Sequence, residues 1–289
     1  MIAQIFRHLM PVLFASLGGL LTDIAGVLNI ALEGFILIGA FSVTVATILT
    51  GNLAAGIILG NLATILIAFL YSTAAIKLKT NIFMSGLAMN LFAAGMVGFV
   101  SQWSLGTKGV ISMSEKLIPQ ALRHGGILSI AAVLCITATA GVIYMLYNTR
   151  FGLRVRAAGS VPELLRARGG NPERTRIAVL TLSGAFCGLA GTVLSVGLGA
   201  FVPNMSAGRG WIALVAVYIG NKHPAGILIA TILFAAAEEL SYSAQGFMDI
   251  PDTILLASPY LVVLIGMIIS SIIRYRKSTT AYSNSKCDI

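Results

Sequence analysis

The chain has 289 residues, of which 57% are hydrophobic and 10% charged, and its mean hydropathy is +0.92. Soluble domains carry about 25% charged residues, so this composition excludes one and predicts an all-α, polytopic membrane helix bundle. The net charge of +9 would suit nucleic acid in a soluble chain, but here basic loops facing the cytoplasm account for it; no nucleic-acid partner is expected, and membrane lipid is the surrounding medium.

Residues 9–28 form the first apolar segment, interrupted by Asp23. It runs on from near Leu9 with no small-residue cleavage site, unlike a signal peptide. Residues 34–76 are 43 consecutive uncharged residues. At about 20 residues per span that length predicts two helices, with Gly51-Asn52 as the turn between them. Lys77 and Lys79 mark a cytoplasmic exit. Residues 82–101 make the next span, and the loop 102–126, with Lys108, Glu115, Lys116, Pro119 and Arg123, is placed outside. Residues 127–147 return to the inside.

The stretch 148–176 holds seven of the nineteen basic residues: Arg150, Arg154, Arg156, Arg166, Arg168, Arg174 and Arg176. An Arg near the bilayer centre costs roughly 2.5–3.5 kcal/mol, so this segment lies outside the lipid, on the cytoplasmic side. Ser160-Val-Pro-Glu163 has the pattern of a capping box, with Ser160 as N-cap and Glu163 at the third helical position. Pro162 fits the first turn, and Gly169 and Gly170 stop the helix. The expected helix is about two turns, Val161 to Arg168, carrying Leu164 and Leu165 among charges. Such a helix either docks a partner or is part of an ordinary solvated basic loop.

Beyond Arg176 comes a 32-residue uncharged run, 177–208, in which Gly184 and Gly188 have GxxxG packing spacing. Residues 209–221 form a short apolar segment from Arg209, and Lys222-His223-Pro224 is an inside turn. Residues 225–243 go out, 254–273 return, and the tail 279–289 is expected to be disordered in the cytoplasm, leaving residues 1–278 as the membrane domain. The count is eight or nine spans; nine place the N-terminus outside, which Arg7 and His8 oppose, and the side stays open.

Asn29-Ile-Ala-Leu-Glu33-Gly34-Phe35-Ile36 echoes Asn204-Met-Ser-Ala-Gly-Arg209-Gly210-Trp211-Ile212, and each is followed by Gly-Asn, at Gly51-Asn52 and Gly220-Asn221. The loop charges orient the two copies oppositely, which predicts an inverted internal repeat of the kind used by transporters. Asn29 and Glu33 are spaced to share a helix face. Asn29, Glu33, Asn90, Asn204 and Arg209 are therefore candidates for a translocation pathway, or for groups that pin helix breaks to each other. Glu238 and Glu239 are placed at the water interface near the outside, and Trp103 and Trp211 as interfacial anchors.

Chemistry-bearing motifs are sparse. No P-loop, His-Glu-x-x-His or Cys-x-x-Cys occurs, and His8, His124 and His223 are isolated. Cys135, Cys187 and Cys287 are too scattered for a disulfide framework or a metal site. No catalytic residue, metal or cofactor is expected.

Three ordered motifs do carry a resemblance. They are Asp23-x-x-Gly26-Val-Leu-Asn29-Ile-Ala-Leu-Glu33-Gly34 with Gly39-Ala40, then Phe151-Gly-Leu-Arg154-Val-Arg156-Ala-Ala-Gly159, then Asn204-Met-Ser-Ala-Gly208-Arg209-Gly210-Trp211-Ile212-Ala213-Leu214. Together they resemble the permeases of type II ABC importers, in the nucleoside, simple-sugar and riboflavin branch related to branched-chain amino acid permeases. The resemblance covers about residues 10 to 273. It implies a pore subunit of the bacterial cytoplasmic (inner) membrane that moves a small polar solute. It implies as partners a second homologous permease, cytoplasmic ATP-binding subunits, and a periplasmic or lipoprotein solute-binding protein. It makes Arg154, Arg156, Gly159, Ser160, Pro162, Glu163, Leu164, Leu165 and Arg168 the region that couples to the ATPase. Family members often continue Glu-Asn-Pro-Glu-Ala-Ala after the glycine; here the run is Ser160-Val-Pro-Glu-Leu-Leu, a departure at the ATPase surface. An ion-coupled secondary transporter using a buried carboxylate such as Glu33 is the alternative, and a purely structural membrane scaffold a third reading.

Overall fold

A computed structural model describes residues 2–114 and 126–244, with Leu264, Gly266 and Ile268. The elements are α1 (Ile2–Ile24), α2 (Leu32–Thr50), α3 (Leu53–Lys77), α4 (Ile82–Leu105), β1 (Ile111–Ser112), α5 (Gly126–Asn148), α6 (Arg150–Ser160), α7 (Pro162–Ala167), α8 (Pro172–Leu198), β2 (Ala200–Phe201), α9 (Arg209–Ile219) and α10 (Pro224–Ala244). Seven of these helices are long and apolar enough to cross a membrane, so the chain is a polytopic helical bundle. The tail 279–289, nearly all of the expected last span and part of the expected external loop lie outside the described residues.

Local chemistry sets most boundaries. The α2–α3 turn falls where expected: Gly51 takes φ 64°, and the Asn52 side chain accepts the Ala54 N–H at 2.9 Å. Asn81 caps α4, and Asn171 caps α8 ahead of Pro172. The first span extends further towards the N-terminus than its apolar core suggested.

At the centre lies α2, packed against α3, α4 and α8, and α1 packs along α8. Hydrophobic burial does not drive helices together within lipid, so close backbone approach matters instead. Gly39 meets Gly188, Gly191 meets Ala40, and Gly184 meets Ala68. The GxxxG pair is thus a packing device. At the far end of α8, β1 and β2 form a two-residue antiparallel pair, Ile111 with Phe201 and Ser112 with Ala200.

The basic stretch is not an open loop. α6 occupies its first half, and Arg174 and Arg176 belong to the first turns of α8. The expected capping box is absent. Ser160 is the last residue of α6, and its hydroxyl donates to the Arg156 carbonyl at 2.9 Å. The chain breaks at Val161 instead (φ −142°, ψ 72°), because the residue before a proline is driven out of the helical region. Glu163 therefore has no free Ser160 N–H to accept, and the second helix is Pro162–Ala167 rather than Val161–Arg168. Its end is as expected: Gly169 takes φ 77°, and the Gly170 N–H donates to the Leu165 carbonyl at 2.9 Å.

Candidate functional site

On the face that carries α6 and α7, four chain segments are tied together. Arg176 Nε donates to the Ala25 carbonyl at 3.3 Å, and its Nη2 donates to the Ala158 carbonyl at 3.1 Å. Gly26, at φ 77°, abuts Gly159, and a Cβ on Gly159 would overlap the Ile24 carbonyl oxygen. Lys222 Nζ stands 3.7 Å from Asp23 Oδ2, bringing the α9–α10 turn to the same place. α1 therefore ends on the face of the basic helices. It begins at the opposite end of the bundle, away from the basic helices.

The basic region presents a mixed surface. Arg154, Arg156, Ser160, Glu163, Leu164 and Arg168 are exposed, Pro162 and Gly159 are half-buried, and Leu165 is buried against Gly170. Leu164 and Leu165 are thus not an apolar pair: one faces outward and the other anchors α7. The Arg156 guanidinium lies 5.5 Å from the Tyr147 ring centroid.

The second constellation lies where two helices start within the bundle. After α1 the chain runs back through residues 27–31 before α2 begins at Leu32. Asn29 and Glu33 therefore do not share a helix face, because Asn29 is in the non-helical segment. Asn29 is fully buried; its Oδ1 accepts the Ala31 N–H at 3.1 Å, and its Nδ2 donates to Ser183 Oγ at 2.9 Å. Asn90 on α4 bridges the same break. Its Nδ2 donates to the Ile30 carbonyl and its Oδ1 accepts the Gly34 N–H, both at 2.9 Å.

α9 starts in the mirror situation, after residues 202–208 return from β2. Its N-cap, Gly208, has no side chain to offer. Glu33 takes that role from across the bundle: Oε1 accepts the Gly208 N–H at 2.8 Å and Oε2 the Gly210 N–H at 2.7 Å. A carboxylate at the positive end of a helix also offsets its dipole. Gly210 has to be glycine here, because a Cβ would strike the Glu33 backbone. With eleven residues, α9 spans only about 16 Å, roughly half the hydrocarbon core.

Arg209 does not face Glu33. Its Nη2 donates to Glu238 Oε1 at 3.1 Å, and its Nη1 donates to the Met205 carbonyl at 3.1 Å. Glu238 and Glu239 are not at a water interface: their side chains are 13% and 5% exposed. Nor is His8 isolated, since Nδ1 lies 3.2 Å from Glu238 Oε1 and Nε2 lies 3.7 Å from Glu239 Oε2. Desolvated carboxylates need such partners, and α1, α9 and α10 supply them. Asn204 is exposed, in a turn at φ 59°, and joins none of these contacts.

The sequence did not point to Ser183, Arg176 or the His8–Glu238–Glu239–Arg209 group as partners. Arg176 reads as one more loop charge, and Ser183 is hidden in a small-residue run.

Comparison with known proteins agrees with this architecture. NupC of Lactococcus lactis, a nucleoside ABC transporter permease protein, is 28% identical over 99% of this chain and 97% of its own. NupQ of Bacillus subtilis, a guanosine ABC transporter permease protein, is 29% identical over 89% of this chain and 87% of its own. A solved inward-facing ABC transporter conformation shares the fold, with a TM-score of 0.55 and 16% identity over 95% of this chain and 85% of that one. These relatives set the ion-coupled alternative aside and make the chain a multi-pass, pore-forming subunit of the inner membrane. Residues 1–272 match the family described as branched-chain amino acid transport system / permease component, and the chain belongs to that family.

Proposed function

We propose that the chain is one of two permease subunits of an importer for a nucleoside or a similar small, polar, ring-bearing solute, such as riboflavin or a simple sugar. ATP hydrolysis takes place on cytoplasmic partner chains, and a periplasmic or lipoprotein receptor delivers the solute. The solute class rests on the two relatives, NupC and NupQ, whose names carry nucleoside and guanosine.

The observation that carries the coupling assignment is the seating of α6, which leads straight into α7, on the end of α1. α7 exposes Leu164 and Glu163, and Arg154 of α6 and Arg168 just after α7 are exposed as well. Gly159 and Ala158 sit directly against Gly26 and Arg176. A pull on α7 is transmitted to the chain just before the Asn29–Glu33 break, and from Glu33 to the start of α9. We assign Asn29, Glu33 and Asn90 to holding the two breaks in a pathway wall, as an inverted pair. Arg209 ties the start of α9 to α10.

Leu164→Asp tests the coupling surface. It places a charge on an exposed position, so the permease folds and enters the membrane while ATP-binding subunits no longer co-purify; retained co-purification overturns the assignment. Competition binding to the cognate receptor tests the solute class. Nucleosides should displace one another there, and failure of all nucleosides redirects the reading to sugars or riboflavin.

A further inference from the structure

Along one flank of the α3–α8 contact runs a groove of about 600 Å³ that belongs to neither the coupling surface nor the breaks. Its α3 wall includes Ile65, Phe69 and Lys77, which share a helix face at four-residue multiples. Its α8 wall includes Arg174, Ile177 and Leu182. The lining is mostly apolar, interrupted by the hydroxyls of Thr73 and Thr181, and turns basic at one end, where Lys77 closes α3 and Arg174 opens α8. Both cations are exposed, and neither has an acidic partner among the described residues.

Length decides what fits. Twelve residues separate Ile65 from Lys77, which is roughly 18 Å of helix at about 1.5 Å per residue. One leaflet of a hydrocarbon core about 30 Å thick is roughly 15 Å deep. The groove therefore has the depth of one leaflet, apolar walls along it, and two positive charges where lipid phosphates lie. We propose that it holds an acyl chain of an anionic phospholipid of the inner leaflet, with the phosphate between Lys77 and Arg174. A protein face packed there would leave those two charges to be matched at the rim, whereas a lipid phosphate matches them directly. Arg174 lies four residues after Gly170, against which Leu165 of α7 packs, so the bound headgroup sits beside the coupling helix.

The test is native mass spectrometry of the assembled transporter in detergent, with phosphatidylglycerol or phosphatidylcholine added at matched concentrations. The wild type should retain phosphatidylglycerol in preference. A Lys or Arg near an anionic surface contributes about 1 kcal/mol, so the Lys77→Ala/Arg174→Ala double variant should bind phosphatidylglycerol roughly thirtyfold more weakly. Its phosphatidylcholine binding should be unchanged. Lys108→Ala, on the opposite side, is the control and should behave as wild type. Equal retention of the two lipids by the wild type overturns the proposal, as does unchanged phosphatidylglycerol binding in the double variant. A Phe69→Cys variant that cross-links to its copy in native membranes, with no lipid retained, assigns the groove to a second permease chain instead. None of these readouts depends on the solute or on transport.

Discussion

At the Glu33 carboxylate, two backbone N–H groups from the start of α9 converge on one side chain. Removing the acceptor leaves two part-buried donors without a partner, at up to about 1–3 kcal/mol each. Glu33→Ala should therefore lower the melting temperature of the detergent-purified protein clearly, and Glu33→Gln less, because glutamine keeps one oxygen but presents a donor to the second N–H. A Glu33→Ala protein that melts like wild type and yet cannot transport would move the carboxylate from scaffold to solute contact. The spacing of Asn29 and Glu33 looked like a shared helix face, but the helix begins only at Leu32, after a turn at Ile30–Ala31. Their roles follow from partners 154 and 175 residues away, which no local pattern contains.

The two faces of α7 make the next scale visible. Leu165 is buried against Gly170, and Leu164 is half exposed at 50%. Truncating a buried leucine to alanine costs about 2–5 kcal/mol, so Leu165→Ala should lower the melting temperature, while Leu164→Ala should leave it within error. Thermal unfolding of the two variants side by side checks this, and equal melting temperatures would refute the assigned orientation. That a short helix ends at Gly169–Gly170 was legible, because a glycine at positive φ is a local stop. Where it begins was not. Serine, proline and glutamate in capping-box spacing compete with the pre-proline restriction on Val161, and the restriction prevails because α6 already continues through Ser160.

For the whole molecule, sidedness is the main consequence. Arg176 on Ala25 and Lys222 beside Asp23 put the end of α1 on the face of the basic helices, which we propose is the cytoplasmic coupling face. An N-terminal epitope tag should thus be cut by protease added to intact spheroplasts, while an epitope in 148–176 is cut only after lysis. Protection of the N-terminal tag would reverse the orientation of α1. The loop charges alone left this open, since Arg7 and His8 oppose an outside start. His8 is explained by its place against Glu238 and Glu239 rather than by membrane potential.

By itself the sequence determined that this is a membrane helix bundle. It also placed most spans and the basic stretch between them, and three motifs carried the permease resemblance. Those properties depend on transfer free energy summed along the chain and on short-range turn chemistry, both of which are local. The tertiary structure alone decided that Glu33 caps α9, that Asn90 bridges the α2 break, that Leu165 turns inward and that the buried acids near the end of α10 are paired. Each of these requires a hydrogen bond or contact between segments remote in the chain. In lipid, a buried polar group has to find such a partner wherever the fold brings one.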